Sequence, residues 1–239
     1  MLKFFHKRKN VKVIFQNDED RDIFIRNRII SENQAYKIKG SGVDLSVFQY
    51  KSEPETDVVR ILFTARMLKD KGVLELVNAA KLLKEKYYNK VQFLLCGDVD
   101  NNPKSLKRSE LENINDGEYI KWLGYRSDVQ KLIEESHIFA FPSYYREGLP
   151  KSLIEACAVG RPIITTNSIG CKDCVVDNYN GFLIPIKDSK TLAEKLEILI
   201  DNKTLRISMG INSRIMAEKY FSIDTVIDKH LEIYNRLVL

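Results

Sequence analysis

The sequence contains no apolar run long enough to cross a lipid bilayer. A membrane-spanning helix needs roughly 20 consecutive apolar residues, and no segment of the 239 residues approaches that length. Residues 1–9 are basic and aromatic, but the apolar segment of a secretion signal does not follow them. We therefore expect a cytoplasmic protein, and residues 1–9 are compatible with peripheral contact at the inner face of the cytoplasmic membrane.

Residues that bind metals or form disulfides are scarce. The chain has three histidines and four cysteines, which are His6, His137, His230, Cys96, Cys157, Cys171 and Cys174. A zinc or redox site at the single pair Cys171-x-x-Cys174 would need a second pair, or histidines at ligand spacing. Cys96 and Cys157 lie among apolar residues, so we expect buried thiols there. In a reducing cytoplasm we expect no disulfide.

The charge of the chain is too small to indicate a nucleic-acid partner. The 38 lysine and arginine residues exceed the 33 aspartate and glutamate residues by only five, which suits a polyphosphate ligand better than DNA or RNA. The chain also lacks a G-x-G-x-x-G fingerprint between strand and helix. This absence disfavours a nicotinamide-dependent dehydrogenase.

Short apolar runs alternate with amphipathic patterns of helical period along most of the chain. The predicted strands are 11–15, 58–64, 91–95, 119–123, 138–142, 163–166 and 181–185, and 36–44 is predicted as a strand followed by a glycine-rich turn. The predicted helices are 18–28, 72–87, 105–113, 127–135, 150–160, 189–200, 203–220 and 225–237. This alternation predicts an α/β fold with a Rossmann-like, doubly wound parallel sheet. Ligands of such sheets bind at the carboxyl ends of the strands.

The segment 138–166 is the most informative, because it predicts a strand, a polar turn, a helix and another strand. We expect Pro150 at the first helical position and Gly160 just beyond the last. The free N–H groups of the first helical turn suit a phosphate. Glu147 and Glu155 lie on either side of that turn and suit neutral hydroxyls. A ligand with hydroxyls at both ends and phosphates between them is a nucleotide sugar. The alternative interpretation is a capped helix with two solvated glutamates.

This segment resembles a known motif. Residues 147–156 have the sequence EGLPKSLIEA and are followed by Gly160-Arg161-Pro162, which resembles the E-x7-E motif of the retaining glycosyltransferase family 4. Members have the GT-B architecture, in which two Rossmann-like domains face each other across a cleft. The resemblance implies that Glu147 binds sugar hydroxyls and that Glu155 binds the ribose. It also implies a donor-binding role for the motif residues Gly148, Leu149, Pro150 and Lys151.

The turn after the predicted strand 58–64 contains Arg66 and Lys71, followed by Gly72. A guanidinium can hold a phosphate with two hydrogen bonds, and an ammonium adds a point charge. The family has a similar basic pair here and uses it on the donor diphosphate, which implies that role for Arg66 and Lys71. Lys69 is a less favoured candidate for the lysine of this pair. On residue type alone, the alternative is that Arg66 and Lys71 are two solvated loop cations.

Two other turns follow predicted strands. Asp98-Val-Asp100 matches the D-x-D metal signature of the other major glycosyltransferase architecture, but the family resembled here generally needs no divalent metal. We therefore expect neither a metal nor another cofactor. The resemblance places the turn at Tyr125 and Arg126 against the nucleobase, and Gly97 in the donor site.

The resemblance covers about residues 11–239, whereas a full member has another Rossmann-like domain upstream. We assign residues 1–45 to a remnant of that domain and the crossover, 46–57 to a linker, and 58–239 to the C-terminal, donor-binding domain. The resemblance implies retaining transfer from a nucleotide-diphosphate sugar, with UDP favoured, to a saccharide or lipid-linked saccharide in cell-envelope polysaccharide or glycoconjugate synthesis. Without the missing N-terminal domain we expect inactivity, and a non-catalytic nucleotide-binding subunit of a split transferase is the alternative.

Overall fold

The computed structural model of the chain describes residues 11–238. The basic segment 1–9, with His6, lies outside the described residues. Within the described range the chain forms a small two-stranded unit followed by a six-stranded parallel sheet with helices on both faces.

The small N-terminal unit contains β1 (Val13–Phe15), α1 (Asp18–Arg26) and β2 (Ala35–Lys37), and the two strands pair in parallel. The Asn17 side chain caps α1 by accepting the N–H of Asp20. Three acidic residues in the first turn of α1 complement the positive end of its dipole. The predicted strand and helix at 11–28 are thereby confirmed.

The main sheet confirms the predicted doubly wound fold. Its strands are β3 (Val59–Thr64), β4 (Val91–Cys96), β5 (Ile120–Gly124), β6 (Ile138–Phe141), β7 (Ile163–Thr166) and β8 (Gly181–Ile184). Their order is β5-β4-β3-β6-β7-β8, and all pairs are parallel. The chain builds outward from β3 on one side and then on the other, so a crevice opens at the carboxyl ends of the central strands.

Seven helices follow the N-terminal unit within the described residues. They are α2 (Val73–Tyr87), α3 (Arg108–Ile114), α4 (Val129–Glu134), α5 (Lys151–Val159), α6 (Ser189–Asp201), α7 (Lys203–Met216) and α8 (Ile223–Val238). A single π-helical segment, Ala217–Phe221, follows α7.

Several helix ends differ from the predicted ones. Pro150 occupies the cap position with extended backbone angles, so α5 begins one residue later than predicted. The helix predicted from residue 127 begins at Val129, and Asp128 occupies its cap position. The helix predicted from residue 105 begins at Arg108, because Asp100 and Asn102 accept backbone N–H groups and fold the preceding residues into a turn.

The core lies between the sheet and its helices. Strands β6 and β7 are buried along their whole length, as expected for a parallel sheet covered on both faces. All four cysteines in the described range are buried free thiols, which confirms the predicted burial of Cys96 and Cys157. No group of three or more His, Cys, Asp or Glu among residues 11–238 is arranged to hold a metal ion. No helix within that range combines the length and apolarity needed to cross a membrane.

The segment 46–57, predicted as a linker, is fastened to the main domain. Glu53 forms a two-fold ion pair with Arg206, with both N–O distances 2.8 Å. The two side chains are only 7% and 5% exposed. Removing one partner of such a pair leaves an uncompensated buried charge. The ion pair therefore holds this segment against α7.

The last helix packs on the N-terminal unit. Val226 and Ile233 of α8 are buried against Ile38. The opposite face of α8 is about half exposed at Ile227, Leu231 and Tyr234.

Candidate functional site

A cleft of about 560 Å³ opens at the carboxyl ends of β3, β4 and β5, beside the amino end of α5. That volume lies within the usual range for small-molecule sites. Six of the predicted site residues line the cleft, namely Arg66, Gly97, Tyr125, Arg126, Lys151 and Glu155.

The amino end of α5 supplies an anion-binding end to the cleft. The first backbone bond of the helix runs from the Leu153 N–H to the Pro150 carbonyl, so the N–H groups of Lys151 and Ser152 have no acceptor within the helix. Together with the positive end of the dipole they favour a phosphate. The Lys151 side chain is 68% exposed and adds a mobile positive charge.

Glu155 is the buried carboxylate of the cleft. Its side chain is 13% exposed, and its nearest cation is the Lys151 ammonium at 3.9 Å. Burial raises the pKa of Glu155, and Lys151 opposes that rise. A buried carboxylate with so distant a partner is poised to accept hydrogen bonds from ligand hydroxyls.

Arg66 forms an ion pair with an aspartate. Its Nη1 lies 2.8 Å from Asp100 Oδ2, and this hydrogen bond lowers the pKa of Asp100 from its usual value. Asp98, the other half of the D-x-D sequence, pairs with Arg108 at 2.9 Å. The two aspartates therefore bind separate arginines instead of converging on one point.

Lys71 and Glu147 form an ion pair outside the lining of the cleft. Both side chains are 12% exposed, and the Lys71 ammonium lies 4.8 Å from the centre of the Tyr145 ring. The turn before Lys71 is fastened to the loop before Glu147, because the Tyr144 and Tyr145 N–H groups both donate to the Asp70 carbonyl. Of the four predicted charged residues, Arg66 and Glu155 therefore lie inside the cleft, whereas Lys71 is paired with Glu147 beside it.

Gly97 allows two strands to approach closely beneath the cleft. Its φ is +139°, and a Cβ built there would lie 1.8 Å from the Ala65 carbonyl oxygen. The Trp122 indole N–H donates to the Gly97 carbonyl at 2.8 Å and secures this floor. Gly97 therefore has a structural requirement beside its predicted role.

The predicted nucleobase turn lies at the rim. Tyr125 is 75% exposed, which leaves its ring face available for stacking. Arg126 donates to Asp128 at 2.7 Å, and this contact fixes the turn. Neither side chain is buried by other parts of the described chain.

Nine residues that line the cleft were not predicted as site residues, and Val47, Phe48 and Thr64 are among them. Val47 and Phe48 belong to the segment interpreted as a linker. Thr64 ends β3, and its hydroxyl is buried without a hydrogen-bond partner among the described residues. A polar residue at the carboxyl end of a central strand was the one available signal.

Gly148, Leu149 and Pro150 do not line the cleft. They form the loop between Glu147 and α5, and Gln16 of the N-terminal unit accepts the Leu149 N–H at 3.0 Å. The loop thus lies between the cleft and the N-terminal unit.

Comparison with known proteins gives consistent matches. The profile of the family described as "Glycosyl transferases group 1" matches residues 48–216. The chain is 32% identical to the N,N'-diacetylbacillosaminyl-diphospho-undecaprenol alpha-1,3-N-acetylgalactosaminyltransferase of Campylobacter jejuni, and the match covers 99% of this chain. The chain spans only 62% of that relative's length.

Two solved structures are similar in fold. A glycosyltransferase from Rickettsia africae superposes with a TM-score of 0.88 at 25% identity, covering 99% of this chain and 66% of the other. Anabaena Alr3699/HepE in complex with UDP superposes with a TM-score of 0.82 at 20% identity, covering 94% of this chain and 64% of the other. The second similarity shows the fold alone.

Proposed function

Because the chain belongs to the glycosyl transferases group 1 family, we propose that it is the donor-binding part of a retaining glycosyltransferase. The proposed donor is a UDP-sugar, and the proposed acceptor is a lipid-linked saccharide of cell-envelope polysaccharide or glycoconjugate synthesis. The Campylobacter relative is named for a diphospho-undecaprenol-linked acceptor, and the Anabaena protein was crystallised with UDP. The cleft that combines a helix amino end with the buried Glu155 is the observation that supports the proposal.

The proposed pose places the diphosphate at the amino end of α5 and the ribose at Glu155. Arg66 then exchanges Asp100 for a phosphate, with a guanidinium fork suited to two phosphate oxygens. The uracil lies towards the rim at Tyr125, and Thr64 offers its unpaired hydroxyl from the cleft wall. We propose that Gly148, Leu149 and Pro150 contribute through the loop that orients the donor.

We propose that the sugar lies beside the ion pair of Lys71 and Glu147. As the bond between the anomeric carbon and the diphosphate oxygen breaks, Arg66, Lys71 and the α5 amino end stabilise the charge that develops on the departing UDP. The acceptor oxygen bonds to the same face of the sugar, and the departing phosphate takes its proton. Glu147 accepts hydrogen bonds from the sugar hydroxyls. Since this chain's own cations neutralise the leaving group, we expect no requirement for a divalent metal or cofactor.

The acceptor site is proposed to lie mostly on a further N-terminal domain that packs on the unit of β1, α1 and β2. By itself the chain is then expected to bind nucleotide and to transfer little or no sugar. We propose a cytoplasmic site of action, at the inner face of the cytoplasmic membrane where a lipid-linked acceptor is available.

A second candidate is a non-catalytic nucleotide-binding subunit. It is favoured by one observation, that Lys71 and Glu147 neutralise each other outside the cleft. Nucleotide binding would need only the cleft, so affinity does not distinguish the two candidates. The activity of Glu147 variants does.

Isothermal titration tests the proposed ligand class. We expect UDP to bind with a dissociation constant of roughly 10 μM to 1 mM. Uridine should bind more weakly because it lacks the diphosphate, and NAD should give no heat. An absence of heat with every uridine nucleotide would contradict the proposal, and tight NAD binding would favour a dehydrogenase.

A further inference from the structure

A hydrogen bond joins the N-terminal unit to the loop of the E-x7-E motif. Gln16 follows β1 directly, and its side-chain oxygen accepts the Leu149 N–H at 3.0 Å. Leu149 lies two residues after Glu147 and two before the first residue of α5. The contact therefore acts on the peptide that connects the proposed sugar-binding carboxylate to the proposed phosphate-binding helix.

Gly148 leaves room for the Gln16 carboxamide because it has no side chain. A Cβ built on Gly148 would lie 1.9 Å from Gln16 Oε1 and 3.0 Å from Gln16 Cδ. The Gly148 backbone is not left-handed, so its angles alone do not require glycine. The missing side chain instead leaves the space that the Gln16 carboxamide fills.

Two ion pairs flank the contact. Asp20 of α1 accepts from Arg146, with 3.1 Å between Nε and Oδ1, and Glu19 pairs with Lys172. Exposed pairs of this kind contribute little individually. They hold α1 over the loop, whereas Gln16 reaches the backbone of the motif itself.

We propose that Gln16 is a positioning residue for the sugar end of the donor site. It fixes the Gly148–Leu149 peptide, which a glycine would otherwise leave free to rotate, and thereby sets the direction in which Glu147 faces the sugar. The inference rests on the proposed function and assigns part of the donor site to the N-terminal unit. Because Gln16 acts at the Glu147 side of the loop, it affects recognition of the sugar more than recognition of UDP.

The first experiment measures the affinities of UDP and UDP-sugars for Gln16→Leu and Gln16→Glu. The leucine has no oxygen to accept the Leu149 N–H, whereas the glutamate keeps one. We expect Gln16→Leu to weaken binding of the UDP-sugar that the wild type binds most tightly, chosen from UDP-glucose, UDP-galactose and UDP-N-acetylglucosamine, by about three- to tenfold, and that of UDP by less than about twofold. Gln16→Glu should restore most of the loss. Equal weakening of UDP and UDP-sugar would indicate a general structural defect and overturn the proposal.

The second experiment uses the steric relation with Gly148. Gly148→Ala should reproduce the defect of Gln16→Leu, because the new Cβ displaces the carboxamide. In the Gln16→Ala background, Gly148→Ala should weaken binding of the UDP-sugar by less than about a further twofold. The new Cβ at position 148 lies 3.7 Å from the Gln16 Cβ, which is an ordinary contact. An equal cost of Gly148→Ala in both backgrounds would show that Gly148 acts on the donor directly and would overturn the proposal.

A third measurement needs no nucleotide. Amide hydrogen exchange at Leu149 should be slow in the wild type and Gln16→Glu and at least about tenfold faster in Gln16→Leu. Unchanged exchange in Gln16→Leu would remove the basis of the inference. If the wild type bound no uridine nucleotide, the proposed function would fail while this measurement still tested the hydrogen bond.

Discussion

Replacement of Glu147 by glutamine is expected to reduce sugar transfer by roughly 100- to 1,000-fold and to change UDP affinity by less than about twofold. The difference follows from the position of the side chain. Glu147 pairs with Lys71 beside the cleft and does not line it, and we propose that its carboxylate binds the sugar. Transfer is measured on a protein that includes the proposed further N-terminal domain, and UDP affinity is measured on this chain.

Glu197→Gln is a suitable control for that experiment. It removes the exposed pair between Glu197 and Lys86, in which the N–O distance is 2.7 Å, and neither residue lines the cleft. Both activity and UDP affinity should be unchanged in this variant. Full transfer activity in Glu147→Gln would refute the catalytic role and favour a binding subunit.

Replacement of Arg66 by alanine is expected to weaken UDP binding by roughly 10- to 100-fold, since hydrogen bonds to a charged phosphate are lost. Uridine binding should change by less than about twofold, because it lacks the phosphates. Arg66→Lys should give an intermediate affinity, since an ammonium keeps the charge without the fork. Titration calorimetry with both ligands measures these effects.

Arg108→Ala provides a matched control. Arg108 is 56% exposed and paired with Asp98 at 2.9 Å, and Arg66 is 58% exposed and paired with Asp100 at 2.8 Å, but only Arg66 lines the cleft. Asp100→Asn frees Arg66 and should therefore strengthen UDP binding by about two- to threefold. Equal losses in Arg66→Ala and Arg108→Ala would place the diphosphate elsewhere.

Residue pattern predicted the sheet well because most of its strands are largely buried apolar runs. Strand β7 was predicted with its observed ends, and β6 was predicted one residue too long. Helix ends were predicted less well, because they depend on local turns. The turn formed by the hydrogen bonds that Asp100 and Asn102 accept shifts the start of α3 to Arg108. A π-helical segment interrupts the helix predicted over 203–220.

The candidate site was predictable in residue type but not in geometry. The sequence placed Arg66, Lys71, Glu147 and Glu155 at one edge of the sheet, since each follows the carboxyl end of a strand. It could not show that Lys71 and Glu147 pair with each other, because periodicity does not determine side-chain rotamers. The contact of Gln16 with Leu149 spans 133 positions and has no local signal in the sequence.

We propose that a nucleotide lies along the cleft with its ribose hydroxyls on Glu155. A thermodynamic cycle that combines Glu155→Gln with removal of the ribose hydroxyls tests this pose most directly. The affinities of UDP and 2′,3′-dideoxy-UDP are measured for the wild type and for Glu155→Gln. We expect Glu155→Gln to weaken UDP binding by about tenfold or more and to leave the dideoxy nucleotide within about twofold. Equal weakening of both nucleotides would mean that Glu155 does not contact the ribose, and would contradict the proposed pose.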